Sequence, residues 1–287
     1  MQKIKEFLIE KIIFLCGIAS IIFVLLIFFF LLKEGLSVFK TTPVLKFLFG
    51  KNWYPISEPP EFGIFPLLCG SFLVTVGAGI LSIPIGIGCA IYIAYVAPKK
   101  IKELLKNTIE LLAAIPSVVL GFIGISILAP FIKNIFNLPT GLTALTGSIL
   151  LALMAMPTIV SIAEDAFYSI PKSYIEAAAS LGATHWQVIW RVCIPSARSG
   201  LLAAIMLGIG RVIGETMAVM MVTGNAAIIP KSIFQPARTL TATIAAEMGE
   251  VVIGSEHYFA LFAIGIILFI ISFIINVSAD ILLHKNK

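Results

Sequence analysis

From Phe65 to Val96 the chain runs for 32 residues without one charged side chain. A helix needs about 20 apolar residues to cross a hydrocarbon core about 30 Å thick, so a run of this kind belongs in a bilayer. Apolar stretches near that length recur, and six spans fit the pattern, at roughly 12–32, 65–96, 108–132, 141–163, 200–223 and 258–283. Only 12% of the residues are charged and 59% are hydrophobic, with a mean hydropathy of +1.06. A soluble domain carries about 25% charged residues. The bilayer core offers no water to backbone groups, so each span must close its own hydrogen bonds as a helix. The expected fold class is all-α, a polytopic integral membrane protein with about six transmembrane helices.

The spans are not uniform. The second exceeds the thickness of a bilayer, and Pro84 with Gly86 and Gly88 predicts a kink or a tilt there. The third holds Pro116 and Gly121, which a membrane helix tolerates when its neighbours satisfy the freed carbonyl.

Orientation follows from the basic residues. With the N-terminus inside, twelve Lys and Arg fall on the inner side, seven on the outer side, and Arg211 within a span. The short loop 98–107, with Lys99, Lys100, Lys102 and Lys106, decides the sign. Both termini and the polar segment 164–199 are expected in the cytoplasm. The net charge of +5 is thus topological, and no nucleic-acid partner is expected.

The first run, Ile12 to Leu32, has 21 residues, longer than the ~7–15 of a signal peptide core, and no small-x-small cleavage site follows. Leu15 before Cys16 argues against lipoprotein processing, so an uncleaved first span is expected. The cysteines Cys16, Cys69, Cys89 and Cys193 show no C-x-x-C spacing and read as small apolar filler. The first outer loop, about 33–63, sets Trp53 and Tyr54 beside Pro55, Pro59 and Pro60, which suits an interfacial segment that re-enters near Phe65. Two units follow: 1–62, a transmembrane helix with its periplasmic loop, and 63–287, the main transmembrane domain with its cytoplasmic loop at about 164–199. No repeat of fixed short period is present.

That cytoplasmic loop carries two helix-start signatures, Ser173-x-x-Glu176 and Thr184-x-x-Gln187, with Gly182 placed to end the first helix. Ala177, Ala178 and Ala179 give the first helix a smooth face for a partner surface. The second carries Trp186, Val188, Ile189 and Trp190 and is expected to stop at Pro195. Taken singly, Glu176 could equally complete a cap and the alanines merely favour helix.

The fifth span holds Arg211 and Glu215 within Gly208-Ile209-Gly210-Arg211-Val212-Ile213-Gly214-Glu215-Thr216. At about 1.5 Å per residue from Gly200, Arg211 lies roughly 16 Å into the membrane. A charge there costs about 2.5–3.5 kcal/mol on insertion scales. Glu215 is one turn further on, so the two are expected to pair, while Gly210-x-x-x-Gly214 admits a neighbouring helix. Two readings stay open: an anion ligand in a water-filled route, whose guanidinium fork suits phosphate or carboxylate oxygens, or a static ion pair that fixes packing.

The string Glu176-Ala177-Ala178, then Gly182, then Val192-x-Ile194-Pro195 resembles the E-A-A-x-x-x-G…I-x-L-P signature of ATP-binding-cassette importer membrane subunits, with Val192 and Ile194 for the usual Ile and Leu. The resemblance implies the type I importer transmembrane-domain fold. It also implies that this loop is the coupling helix that inserts into a groove on the ATPase, a role carried to Glu176, Ala177, Ala178 and Gly182, with Pro195 closing the motif. The stretch Gly210 to Met220 is similar to the phosphate-specific importer permeases of the PstC type. So are Ile115-Pro116-Ser117-Val118-Val119, Thr239 to Ala245 with Glu247-Met248-Gly249, and Phe62-Gly63-Ile64. The likeness covers about 60–287, is strongest over 110–250 and weak over the first span. It implies a part for Arg211 and Glu215 in moving phosphate. A PstA-type partner shares the G-R-x-I-G-E-T string, so the choice of paralogue rests on Met217-Ala218-Val219-Met220 and Glu247-Met248-Gly249.

The partners implied are a homologous PstA-like permease subunit, two copies of a PstB-like ATP-binding subunit, and a periplasmic or lipid-anchored PstS-like phosphate-binding protein, with phosphate as substrate. The chain has no G-x-x-x-x-G-K-[ST] phosphate loop. It is therefore expected to be a transporter subunit and no enzyme, with no cofactor of its own and ATP and Mg on the partner. A bacterial or archaeal plasma membrane is the expected location. Two alternatives remain: a permease for another oxyanion such as molybdate or sulfate, and a stand-alone secondary carrier. The latter should show paired halves, which are not evident. Arg238 in the outer loop reads as a solvated charge or as a first contact for the anion, and Glu247 and Glu250 as a plain polar surface or a docking surface for a binding protein. Glu110, Glu164 and Asp165 read as helix anchors at the inner interface. Met217, Met220 and Met221 read as packing, and His185, His257 and His284 share no metal-ligand spacing.

Overall fold

A computed structural model of the chain describes residues 2–284. The first apolar run is one helix, α1 (Gln2–Gly35). It leaves Ile12, Phe14, Leu15 and Phe23 exposed and touches the bundle at its far end. A 3-10 turn (Leu36–Lys40), α2 (Val44–Phe49) and a short hairpin, β1 (Trp53–Tyr54) and β2 (Glu61–Phe62), follow. In the hairpin Trp53 opposes Phe62, and both rings are buried with Phe47 and Ile64 against Leu240 and Leu261. The end of the bundle that this cap closes is called the hairpin end below.

The second span, α3 (Phe65–Ile91), runs unbroken through Pro84, and its one irregular turn, a π-turn over Tyr92–Val96, lies beyond the proline. The third span departs from the expected 108–132. Residues 108–114 belong to an amphipathic helix, α4 (Lys99–Ala114), which buries none of its residues. The chain breaks at Ile115, which takes an extended conformation because the ring of Pro116 excludes the helical one from the residue before it. The membrane segment starts at Ser117 and comprises α5 (Ser117–Ile123), a π-turn (Gly124–Leu128) and α6 (Ala129–Ile135).

Helix α7 (Ala144–Tyr168) forms the centre. Thr143 caps it by accepting from the N–H of Thr146, and 61% of its most apolar window is buried, against 28% or less for the other spans. After it come α8 (Lys172–Ser180), α9 (His185–Val188), a π-turn (Ile189–Cys193) and α10 (Ile194–Ser196), then α11 (Arg198–Gly214), α12 (Met217–Val222), α13 (Leu240–Glu247) and α14 (Glu256–His284). Helices α8–α10 mark the opposite end of the bundle, the loop end. Ile159 of α7 sits where a side chain at Gly86 of α3 or at Gly208 of α11 would have to go, so two glycines draw three spans together. Membrane helices gain no hydrophobic energy from leaving lipid and rely on such close approach. Among the described residues, five helices are long and apolar enough to cross a membrane. A sixth crossing is formed if His185–Ser196 and Arg198–Gly214, bent by 71°, count as one.

Candidate functional site

At the loop end the second helix-start signature is realised and the first is not. Thr184 Oγ1 accepts from the N–H of Gln187 at 3.4 Å, and Gln187 Oε1 accepts from the N–H of Thr184 at 2.8 Å. Helix α8 instead starts at Lys172 with Pro171 as its boundary residue and no side-chain cap; the fixed φ of Pro171 and its carbonyl, which accepts from the N–H of Tyr174 at 3.1 Å, set the first turn. Ser173 therefore lies inside the helix. Gly182 ends the turn with φ +80° and open space around its Cα, a conformation glycine adopts without strain.

Pro195 does not stop the next helix, which runs on to Ser196. The donor that proline lacks falls where the π-turn Ile189–Cys193 has already loosened the hydrogen-bond ladder. The stop comes at Ala197, the 71° elbow into α11. Val188, Ile189 and Cys193 are buried; Val188 and Cys193 pack with Phe167 and Ile93, which anchors the knob to the spans. Its other side is open: Glu176, Ala177, Ala179 and Gly182 are exposed, while Ala178 packs inward. Leu181 is 89% exposed, and Trp186 and Trp190 are 58% and 61% exposed. Leu181 escapes a motif-based reading, because only the turn at Gly182 turns it outward.

Arg211 lies on a face of α11 that is exposed among the described residues and flanked by α14. Leu207, Gly210, Arg211 and Gly214 are all exposed, and no atom of another element lies near the positions that Cβ atoms at Gly210 and Gly214 would take. Among the described residues nothing packs against Gly210 or Gly214, and Gly208, two residues before Gly210 and so on the far side of the helix, makes the internal contact. Arg211 lines a cavity of about 220 Å³ with Ser272 and Asn276 of α14. Those two polar residues, four apart in an otherwise apolar run, are a signal already present in the sequence.

The expected Arg211–Glu215 pair is absent among the described ion pairs. Helix α11 ends at Gly214, and Glu215 is extended, with φ −69° and ψ 134°. One-turn spacing brings two side chains together only while the helix continues, and here it does not. The Glu215 carboxylate accepts from the N–H of Ala218 at 3.3 Å, and its carbonyl accepts from Thr241 Oγ1 at 2.8 Å. The fifth span is thus broken at mid-sequence, with α12 packed by Ala218 and Met221 against Gly121 of α5.

At the hairpin end Glu247 gathers three elements. Its carboxylate takes an ion pair from Arg238 Nη1 at 2.5 Å, a contact with His257 Nε2 at 2.8 Å and hydrogen bonds from Trp53 Nε1 at 3.1 and 3.2 Å. Arg238 also donates to the carbonyl of Asn225 at 2.9 Å. With side chains only 16–19% exposed, these are not the solvated charges that the sequence alone suggests. The cluster lines the mouth of an open cavity of about 610 Å³ with Tyr54 and Ser57. Elsewhere Glu164 is buried in α7 and meets Lys106 of α4 at 3.7 Å. No group of three or more metal-ligating side chains occurs among the described residues.

The family described as "binding-protein-dependent transport system inner membrane component" matches residues 82–287. The chain is 41% identical over 274 residues to the probable ABC transporter permease protein YqgH of Bacillus subtilis, covering 95% of this chain and 89% of that one. It is 37% identical over 258 residues to the phosphate transport system permease protein PstC of Mesorhizobium japonicum, covering 83% and 78%. A chain of a bacterial alginate ABC transporter, solved with an alginate pentasaccharide-bound periplasmic protein, superposes with a TM-score of 0.68 at 14% identity over 96% of this chain and 95% of that one. The architecture is that of a type I ABC importer transmembrane domain.

Proposed function

The chain belongs to the family of binding-protein-dependent transport system inner membrane components, and on that premise we propose that it is the membrane permease subunit of an ATP-driven importer of inorganic phosphate. The relatives named for phosphate transport support the substrate. The single observation that carries the mechanism is Arg211, a cation at membrane depth on a face open to the outside of this chain. Charged side chains in spans face a bundle interior or a water-filled route. The uncovered face therefore needs a second wall, which a homologous PstA-like permease subunit supplies. Arg211 meets the passing anion there, and Glu215, at the break beyond it, shapes the next stretch of the route.

The loop end is cytoplasmic in this reading, as the lysines of α4 suggest. The exposed side of α8 and α9, with Glu176, Ala177, Gly182, Leu181 and Trp186, docks on an ATP-binding subunit, since this chain has no phosphate loop of its own. Two such PstB-like subunits closing on ATP and Mg push the knobs. The knob joins α11 directly through the elbow at Ala197, so its displacement moves the helix that carries Arg211. A push of this kind biases two discrete arrangements of packed helices. A periplasmic or lipid-anchored PstS-like protein delivers phosphate at the hairpin end. The chain resides in the bacterial or archaeal inner membrane with both termini inside.

The test uses the reconstituted four-component importer. Arg211→Gln should abolish phosphate uptake while the ATP-binding subunit still co-purifies. Uptake at the unsubstituted rate would reduce Arg211 to a packing residue and remove the basis of the route.

A further inference from the structure

We propose that Ser272 and Asn276 of α14 complete, with Arg211 of α11, a subsite for a tetrahedral oxyanion in the wall of the route. The proposal rests on the reading of Arg211 given above and extends it to residues outside that reading.

From Phe259 to Ile271 α14 carries no polar side chain. Ser272 and Asn276 then follow four residues apart, on one face of the helix. Both are exposed on this chain, and both line the cavity of about 220 Å³ that also holds Arg211 and Gly210. Ser272 lies at nearly the height of Arg211, and Asn276 one helical turn nearer the loop end. Arg211 is thirteen residues from the loop-end start of α11, and Ser272 and Asn276 are twelve and eight residues from the loop-end terminus of α14. At about 1.5 Å per residue these are heights of roughly 20, 18 and 12 Å on two antiparallel helices. An amide at that depth is unfavourable against lipid, which cannot hydrogen-bond it. The polar face of α14 therefore shares the open, non-lipid side with Arg211.

The chemistry fits an oxyanion in transit. The cavity has room for several waters at about 30 Å³ each, hence for one tetrahedral anion with part of its hydration shell. Gly210 leaves the backbone beside the guanidinium bare, so an anion approaches without a side chain in its way. Asn and Ser each both donate and accept, so they serve the ionised and the protonated oxygens of phosphate alike. They add hydrogen bonds without a second positive charge, and a transport site must bind weakly enough to release.

Water access and function test it in the assembled importer. With Cys16, Cys69, Cys89 and Cys193 replaced, Ser272→Cys and Asn276→Cys should react with a charged, membrane-impermeant thiol reagent, and inorganic phosphate should slow the reaction. Ile274→Cys, on the opposite face, should stay unlabelled. Asn276→Leu should lower phosphate uptake by about tenfold or more, as loss of an anion hydrogen bond does, and Asn276→Ser should restore most of it. No labelling at either position overturns the subsite. Equal loss in the Leu and Ser variants assigns Asn276 to helix packing and also overturns it. Normal uptake in Asn276→Leu beside lost uptake in Arg211→Gln removes the subsite but leaves the importer reading standing. Normal uptake in both removes both.

Discussion

Glu215 accepts a hydrogen bond from the backbone N–H of Ala218 at 3.3 Å, across the break that separates α11 from α12. The carboxylate thus behaves as a cap for a six-residue helix and not as the counter-ion of Arg211. Losing a capping acceptor costs about 1 kcal/mol. Glu215→Ala should therefore speed hydrogen exchange at Ala218 severalfold, while Glu215→Gln, which keeps an acceptor oxygen, should leave it protected. Identical exchange in both variants would mean that the bond contributes nothing to the break.

Glu247 is the one acceptor shared by Arg238, His257 and Trp53, which belong to three separate parts of the chain. Hydrogen bonds to a charged group contribute about 1.5–3 kcal/mol each when partly buried. Glu247→Ala should lower the thermal stability of the purified complex and expose the 53–62 hairpin to protease. Glu247→Gln, still an acceptor for Trp53, should do less harm. A protease pattern unchanged in Glu247→Ala would show that the aromatic packing of Trp53 and Phe62 holds the cap alone.

The loop that carries α8 and α9 makes separable demands at two neighbouring residues. Gly182 needs a positive φ, and a side chain there is disfavoured by about 1 kcal/mol or more. Leu181 offers an almost fully exposed apolar side chain. Gly182→Ala and Glu176→Lys should leave insertion intact and separate ATP hydrolysis from phosphate uptake in proteoliposomes. Leu181→Asp should weaken binding of the ATP-binding subunit by about tenfold, or ~1.4 kcal/mol. Tight coupling in all three variants would place the docking surface elsewhere.

Much of this was legible from residue order alone. Span number, the polar loop between the fourth and fifth spans, the Thr184–Gln187 cap and the arginine within the fifth span all depend on local pattern, and local pattern survives into the fold. Three of the misplaced features share a cause, which is proline and glycine acting on the backbone. Pro116 moved the start of the third span, Pro171 took over the start of α8, and the break at Gly214 parted Arg211 from Glu215. One-turn spacing presumes a continuous helix, and nothing in a sequence certifies continuity.

The sequence by itself determined that the chain crosses a membrane, where its polar loop lies and which charged residues fall within apolar runs. Each of these follows from transfer free energy and from helix signals a few residues long. Only the tertiary structure decided that Glu247 meets Arg238, His257 and Trp53, that Gly208 and not Gly210 makes the internal helix contact, and that Arg211 shares a cavity with Ser272 and Asn276. Those relations join residues up to 194 positions apart. They are fixed by how whole helices pack, where a rotation of one residue redirects every side chain on the face.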